Sequence, residues 1–250
     1  MSPRVSITFD DCSQSQITYG LLPMRALRFR GTLGVVTGRV GDRYHHTDAW
    51  QVDSLYWSQI AGLQHADGWE IASHSRMHRS INNPHLKGPY ASLSDQELKE
   101  EICGSKIDLE ARYFPSPVTF IRPGNQFQNP LAGRDLNLTR SCFPVVRLYE
   151  GNTPAKPSLN DFSPGSLQRL ASTHLRSYPG LLADMEELLA GIKEGQWVVF
   201  AVHGIGFNLG GSTTITPSDF EGVLKLLKRA GACVLTLREG METLRRQSSD

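Results

Sequence analysis

Apolar and polar side chains alternate strictly from residue 5 to residue 10: Val5, Ile7 and Phe9 fall on one face, and Ser6, Thr8 and Asp10 on the other. That period of two predicts a strand. If helices cover the apolar face, Asp10 points the other way, into the mouth of a barrel or cleft. Three further apolar runs end in a similar manner: residues 69–73 lead into His74, 118–121 into Arg122, and 197–202 into His203. Residues 31–37, 144–149, 167–175 and 233–237 also read as strands. Helix-like segments lie between the runs, at about 17–30, 55–66, 129–139 and 181–193. Ser94 with Glu97 forms a capping box that opens an amphipathic helix running to about Tyr113, ended by Pro115 and Pro117. Ser218 with Glu221 caps a last helix that stops at Gly231. Residues 151–165 and 204–217 have no period and read as long loops, and a polar tail follows Arg246. Repeated strand-helix units imply an α/β fold with a parallel sheet and outer helices. In such a fold the carboxyl ends of the strands gather on one face. Four strands therefore deliver chemistry to one place.

The residues delivered are of the right types for metal chemistry. Asp10 and Asp11 are adjacent, and His74-Ser75-Arg76-Met77-His78 places two imidazoles four residues apart. One carboxylate and two imidazoles make a three-ligand metal site with a position left for water, and the spare carboxylate could deprotonate that water. With eight histidines in the chain, an H-x-x-x-H spacing arises by accident in about one chain in four, so the pentad alone decides little. Its place at a strand end decides more.

Composition removes several alternatives. At 250 residues and 39% hydrophobic positions the chain can bury one full core, so we read residues 1–250 as one domain. A formal net charge of +1 with mixed signs gives no basic stripe for nucleic acid. No apolar stretch approaches the roughly 18 residues of a membrane span, and a strand starting at about residue 4 leaves no signal peptide. The expected location is cytoplasmic, or secreted if the chain is a trimmed mature form. Cys12, Cys103, Cys142 and Cys233 contain no C-x-x-C pair, so we expect four reduced, structural thiols, Cys12 packing beneath the site. His45 and His46 read as a solvated loop, and His65, His85 and His174 as structural.

From about residue 7 to 237 the chain resembles the polysaccharide deacetylase family of carbohydrate esterases. The family's T-F-D-D motif stands as Thr8-Phe9-Asp10-Asp11, and its H-[ST]-x-x-H motif as His74-Ser75-Arg76-Met77-His78. The resemblance implies a distorted, incomplete (β/α) barrel, with Asp10 as general base and Asp11, His74 and His78 as metal ligands. Arg122-Pro123-Gly124 resembles the family's R-x-P-x-G motif, without the residue that usually separates Arg and Pro, and implies that Arg122 orients the base. Pro123 and Gly124 would then lie along the substrate. Ala201-Val202-His203 resembles L-x-H and makes His203 the general acid, with Ala201 in place of the leucine that lines the acetyl pocket. The family's D-x-x-D-W motif has no clear counterpart, and Asp161-Phe162 is its nearest substitute as a substrate wall.

The expected activity is hydrolysis of an N-acetyl or similar acyl group, or of an O-acetyl ester, on an amino sugar or polysaccharide. It would use one divalent metal, zinc best, with cobalt, manganese or nickel also suited. A small cyclic imide, ureide or formamide substrate is a second reading, and a non-catalytic carbohydrate-binding domain a third. The complete Asp10, Asp11, His74, His78 and His203 set argues against the third. The sequence leaves the oligomeric state open.

Overall fold

Seven parallel strands close on themselves. The computed structural model describes residues 2–47, 50–78, 93–112, 114–124, 132–207 and 213–248. In chain order its strands and helices are β1 (Arg4–Phe9), α1 (Leu22–Ala26), β2 (Thr32–Val35), β3 (Arg43–Thr47), β4 (Trp50–Asp53), α2 (Trp57–Asp67), β5 (Glu70–Ser73), α3 (Asp95–Glu110), β6 (Thr119–Ile121), α4 (Ala132–Cys142), β7 (Val145–Asn152), β8 (Asn160–Asp161), β9 (Leu170–His174), α5 (Leu181–Gly191), β10 (Gln196–Val202), β11 (Gly204–Ile205), β12 (Thr214–Ile215), α6 (Pro217–Arg229), β13 (Cys233–Val234) and α7 (Leu237–Gln247). The barrel runs β1-β2-β5-β6-β7-β9-β10, and β10 pairs back onto β1. Its closing seam is in register from Arg4 opposite Trp197 to Phe9 opposite Val202. The expected distorted (β/α) barrel is what the chain forms. Two short strands depart from the pattern: β13 extends the sheet beside β1 and β8 pairs antiparallel with β10. Among the described residues no helix is long and apolar enough to cross a membrane.

Strand alternation sorts the side chains as the period predicts. Val5, Ile7 and Phe9 face outward into the main core with residues of α2, α5 and α6; Phe9 stacks 4.7 Å from Trp69 and 6.0 Å from Phe220. Inside, Trp197 donates its Nε1–H to Ser6 Oγ at 3.0 Å. Val145, Leu170 and Val199 pack with Trp197 against Leu237, Met241 and Leu244 of α7. Helix α7 thus stops the amino-terminal end of the barrel. Beside it lies the buried Glu70, whose carboxylate accepts from Thr32 Oγ1, Thr119 Oγ1 and Arg238 N at 2.9, 2.6 and 2.8 Å.

Several features differ from the sequence expectation. Only Cys233 and Val234 of the run 233–237 pair as strand. Thr236 then caps α7 in a capping box with Glu239, which turns the end of the expected strand into a helix that runs up to the polar tail expected after Arg246. The cap of α6 is Thr216, with Pro217 in the first turn, two residues before the expected Ser218. His45 and His46, expected in a solvated loop, lie in β3, which pairs antiparallel with β4. Cys103 and Cys142 are disulfide-bonded between α3 and α4 with Cα atoms 5.8 Å apart, against the expectation of four free thiols. Each lies in a separate helix, and only packing of the helices reveals the pair. His85 lies outside the described residues.

Candidate active site

The barrel's carboxyl-end face collects Asp10 and Asp11 after β1, His74 after β5, Arg147 from β7, His174 at the end of β9 and His203 after β10. Asp10 continues the ladder by donating its N–H to Val202 O at 2.8 Å. Asp11 and Cys12 then adopt left-handed backbone, with φ of 68° and 59°. That turn sends two neighbouring carboxylates in different directions, which an extended strand end alone would not bring to one site.

Asp11 faces the two histidines of the pentad. Its Oδ1 lies 3.4 Å from His74 Nε2 and 3.2 Å from His78 Nε2, and the three donor atoms are all within 4.8 Å of one another and buried. His74 Nδ1 is 2.7 Å from Ile121 O. A carbonyl only accepts, so Nδ1 carries the proton and Nε2 presents a lone pair. That Nε2 is buried with no hydrogen-bond partner among the described residues. Buried lone pairs aimed at a carboxylate fit a cation, and the two-imidazole, one-carboxylate set fits a divalent metal. Cys12 is no fourth donor: it packs in the main core, and burial pushes its thiol up to about 12.

Asp10 sits beside this cluster in a different setting. Arg147 Nη2 donates to both of its carboxylate oxygens, and His203 Nε2 lies 3.6 Å from Oδ2. Burial by itself would raise the Asp10 pKa. Arg147, then His203, outweigh it and hold the carboxyl below its ordinary value. The buried Gln16 amide donates to Asp10 O and His203 O at 2.5 and 2.6 Å, tying the backbones of the two residues together.

Arg147 corrects the expectation for Arg122. Ile121 is the ladder partner of Arg147, and its Cδ1 lies 3.1 Å from where a Cβ on Gly34 would stand. Arg122 follows β6 and is buried, and its backbone N–H donates to Arg147 O at 2.9 Å. The guanidinium that donates to both Asp10 oxygens is that of Arg147, one strand further on. A lone arginine within the apolar run Val145-Val146-Arg147-Leu148 was the available signal, because a fully buried guanidinium requires a partner.

Ala201 shares the inward face of β10 with Val199 and His203, and pairs in register with His174 of β9. The His174 ring packs edge-on to that of His203, centroids 4.9 Å apart, so His174, expected to be merely structural, belongs to the site. Burial, then His203, push its pKa down to about 3. Pro123 and Gly124 follow β6 at the same end of the barrel. Asp161 and Phe162 do not. Asp161 pairs with Gln196, and Phe162 packs 5.4 Å from Trp197 and beneath the Arg4 guanidinium. Both lie at the start of β10 while His203 follows its end, about 20 Å away at roughly 3.3 Å per residue. After β7 the chain returns to the bottom of the barrel before β8 forms, so these two residues are removed from the substrate wall.

The family profile described as polysaccharide deacetylase matches residues 2–139. No curated protein matches the sequence. Among solved structures, the family 4 acetyl xylan esterase from Clostridium thermocellum, solved with a cobalt ion, is 18% identical with a TM-score of 0.56 over 96% of this chain and 90% of that one. The peptidoglycan N-acetylglucosamine deacetylase Bc1960 is 15% identical with a TM-score of 0.58 over 96% and 89%. The peptidoglycan deacetylase PdaC from Bacillus subtilis is 13% identical with a TM-score of 0.57 over 99% and 94%. At such identities the likeness is one of fold.

Proposed function

Because the chain belongs to the polysaccharide deacetylase family, we propose that it is a metal-dependent hydrolase removing an N-acetyl group from an amino sugar or its polymer. The observation that carries this reading is the convergence of Asp11, His74 and His78 with Asp10 and His203 only 3.6 Å apart beside them. Asp11, His74 and His78 would hold one divalent metal, zinc by donor type. When bound, the metal acidifies the attacking water and polarises the acyl carbonyl. Asp10 takes the proton of that water as it attacks. Arg147 keeps Asp10 ionised and fixes its two oxygens. His203 delivers a proton to the leaving nitrogen, and the Gln16 amide holds base and acid in register. Ala201 and the neighbouring His174 bound the acyl end of the site, with Pro123 and Gly124 on the opposite rim. The Cys103–Cys142 bridge supports an oxidising compartment.

The test is a substrate panel of chitin oligomers, peptidoglycan fragments, acetylxylan, formylated amino sugars and cyclic imides, run with and without a chelator. Release of acetate from an amino sugar, abolished by chelation and restored by zinc, is expected. Turnover of cyclic imides alone would replace the substrate, and turnover indifferent to chelation would remove the metal. Asp10→Asn should keep the metal and lose at least about 10²-fold in kcat. Near wild-type turnover in that variant refutes the base assignment, and retained metal without any turnover by the wild type points to a binding domain.

A further inference from the structure

The pentad that carries His74 and His78 is not held by its own strand alone. Its backbone is left-handed at Ser75 (φ 65°) and His78 (φ 53°), conformations that non-glycine residues keep only when their surroundings impose them. The imposing element is helix α3. Glu101 Oε1, buried, accepts from Ser75 Oγ at 3.0 Å and from Met77 N at 2.7 Å. Ser75 Oγ in turn accepts from His78 N at 3.0 Å, and Arg76 N donates to the Glu101 carbonyl at 2.9 Å. One turn on, Ser105 Oγ meets Ser73 Oγ at 2.5 Å. A further turn on, Asp108 accepts two hydrogen bonds from the Arg76 guanidinium at 2.8 and 2.7 Å. Between them Gly104 gives the guanidinium room: a Cβ there would stand 2.9 Å from Arg76 Cζ.

Residues 101, 104, 105 and 108 share one helical face, and each engages the segment 73–77 around the first histidine. The geometry points to Glu101 as a positioning residue for the metal site. A single carboxylate oxygen fixes the turn between the two ligands, acting on the His78 backbone through the Ser75 hydroxyl and on Met77 directly. These hydrogen bonds of Glu101 run to the backbone and hydroxyl of the turn between the ligands, so its contribution is to the preorganisation of the pair. Metal would then bind without first having to order the turn. This inference rests on the reading of Asp11, His74 and His78 as metal ligands.

The experiment titrates the chelator-stripped full chain with Co(II), reading affinity by calorimetry and geometry by the visible absorption of the bound ion. Wild type, Glu101→Gln, Glu101→Leu and His74→Ala are compared, each with thermal unfolding of its metal-free form. Glu101→Leu should weaken Co(II) about 10- to 100-fold, the range for partners that orient ligands. Glu101→Gln, which keeps an acceptor oxygen, should recover most of that loss. If Glu101→Leu does not fold, Ser75→Ala breaks the same link and should weaken Co(II) about tenfold. Unchanged affinity and spectrum in the folded Glu101→Leu or Ser75→Ala protein, with only the unfolding temperature lowered, would overturn the positioning role. Unchanged Co(II) affinity in His74→Ala would instead overturn the metal assignment, and this inference with it.

Discussion

Single residues at this site are distinguished by what they face rather than by what they are. Asp10 and Asp11 are neighbours in sequence, yet one meets a guanidinium and the other two imidazoles. Removing Arg147 leaves the buried Asp10 charge without its partner, so Arg147→Met should cost about 3–5 kcal/mol. Urea unfolding of Arg147→Met, Asp10→Asn and the double variant checks this. The double variant should lose clearly less than the two single losses added together, because each removes the same contact. His174 gives a pH signature. Its imidazole has a pKa near 6.5 in an unfolded chain and about 3 when folded. Between those values the unfolded chain binds a proton that the folded chain refuses. Stability is therefore full above pH 6.5 and falls as the pH drops toward 3, by up to about 1.4 kcal/mol per unit. His174→Phe should be less sensitive to acid than wild type between pH 7 and 5, measured on chelated protein so that metal binding does not contribute. An equal slope in both proteins would show that His174 does not titrate in that way.

At the scale of elements, the strands were legible where an apolar face or run was closed by a polar residue, as in β1, β5 and β10, with strict alternation in β1. That same rule found Asp10, His74 and His203. It failed where chemistry lies inside a strand: Arg147 sits mid-run in β7, and its partner is 137 residues away. It failed again at α7, where Cys233-Val234-Leu235-Thr236-Leu237 looks like a strand and the capping box at Thr236 and Glu239 decides otherwise. The Asp161-Phe162 assignment failed because a sequence likeness carries no information on which end of the barrel a connection reaches. The bridge between α3 and α4 was equally invisible, since nothing local marks residues 39 positions apart as neighbours. It closes a long loop, and reduction should cost about 2–4 kcal/mol. Comparing the urea midpoint with and without a phosphine reductant measures that, and Cys103→Ser should reproduce the reduced value.

For the whole molecule, the two ends of the barrel divide the labour. The carboxyl end carries the reactive groups. The amino end carries Trp197, the buried Glu70 network and the α7 stopper, whose Met241 is almost fully buried. Met241→Ala should lower the unfolding free energy by about 2–5 kcal/mol while leaving Co(II) affinity of the folded protein unchanged. A change in affinity would mean that the two ends are coupled.

The seam between β1 and β10 sets an order on how this protein comes into being. Every proposed metal ligand lies within the first 78 residues, whereas the proposed acid is residue 203, and a contact across the seam such as Thr8 to Phe200 spans 192 positions. Contacts of that separation form late and slowly. During synthesis, the histidines and Asp11 leave the ribosome long before the strand that brings His203 to Asp10. On the proposed assignment the growing chain carries all three metal donors well before it gains its proton donor, and hydrolytic competence would wait on the last turn of the barrel to close.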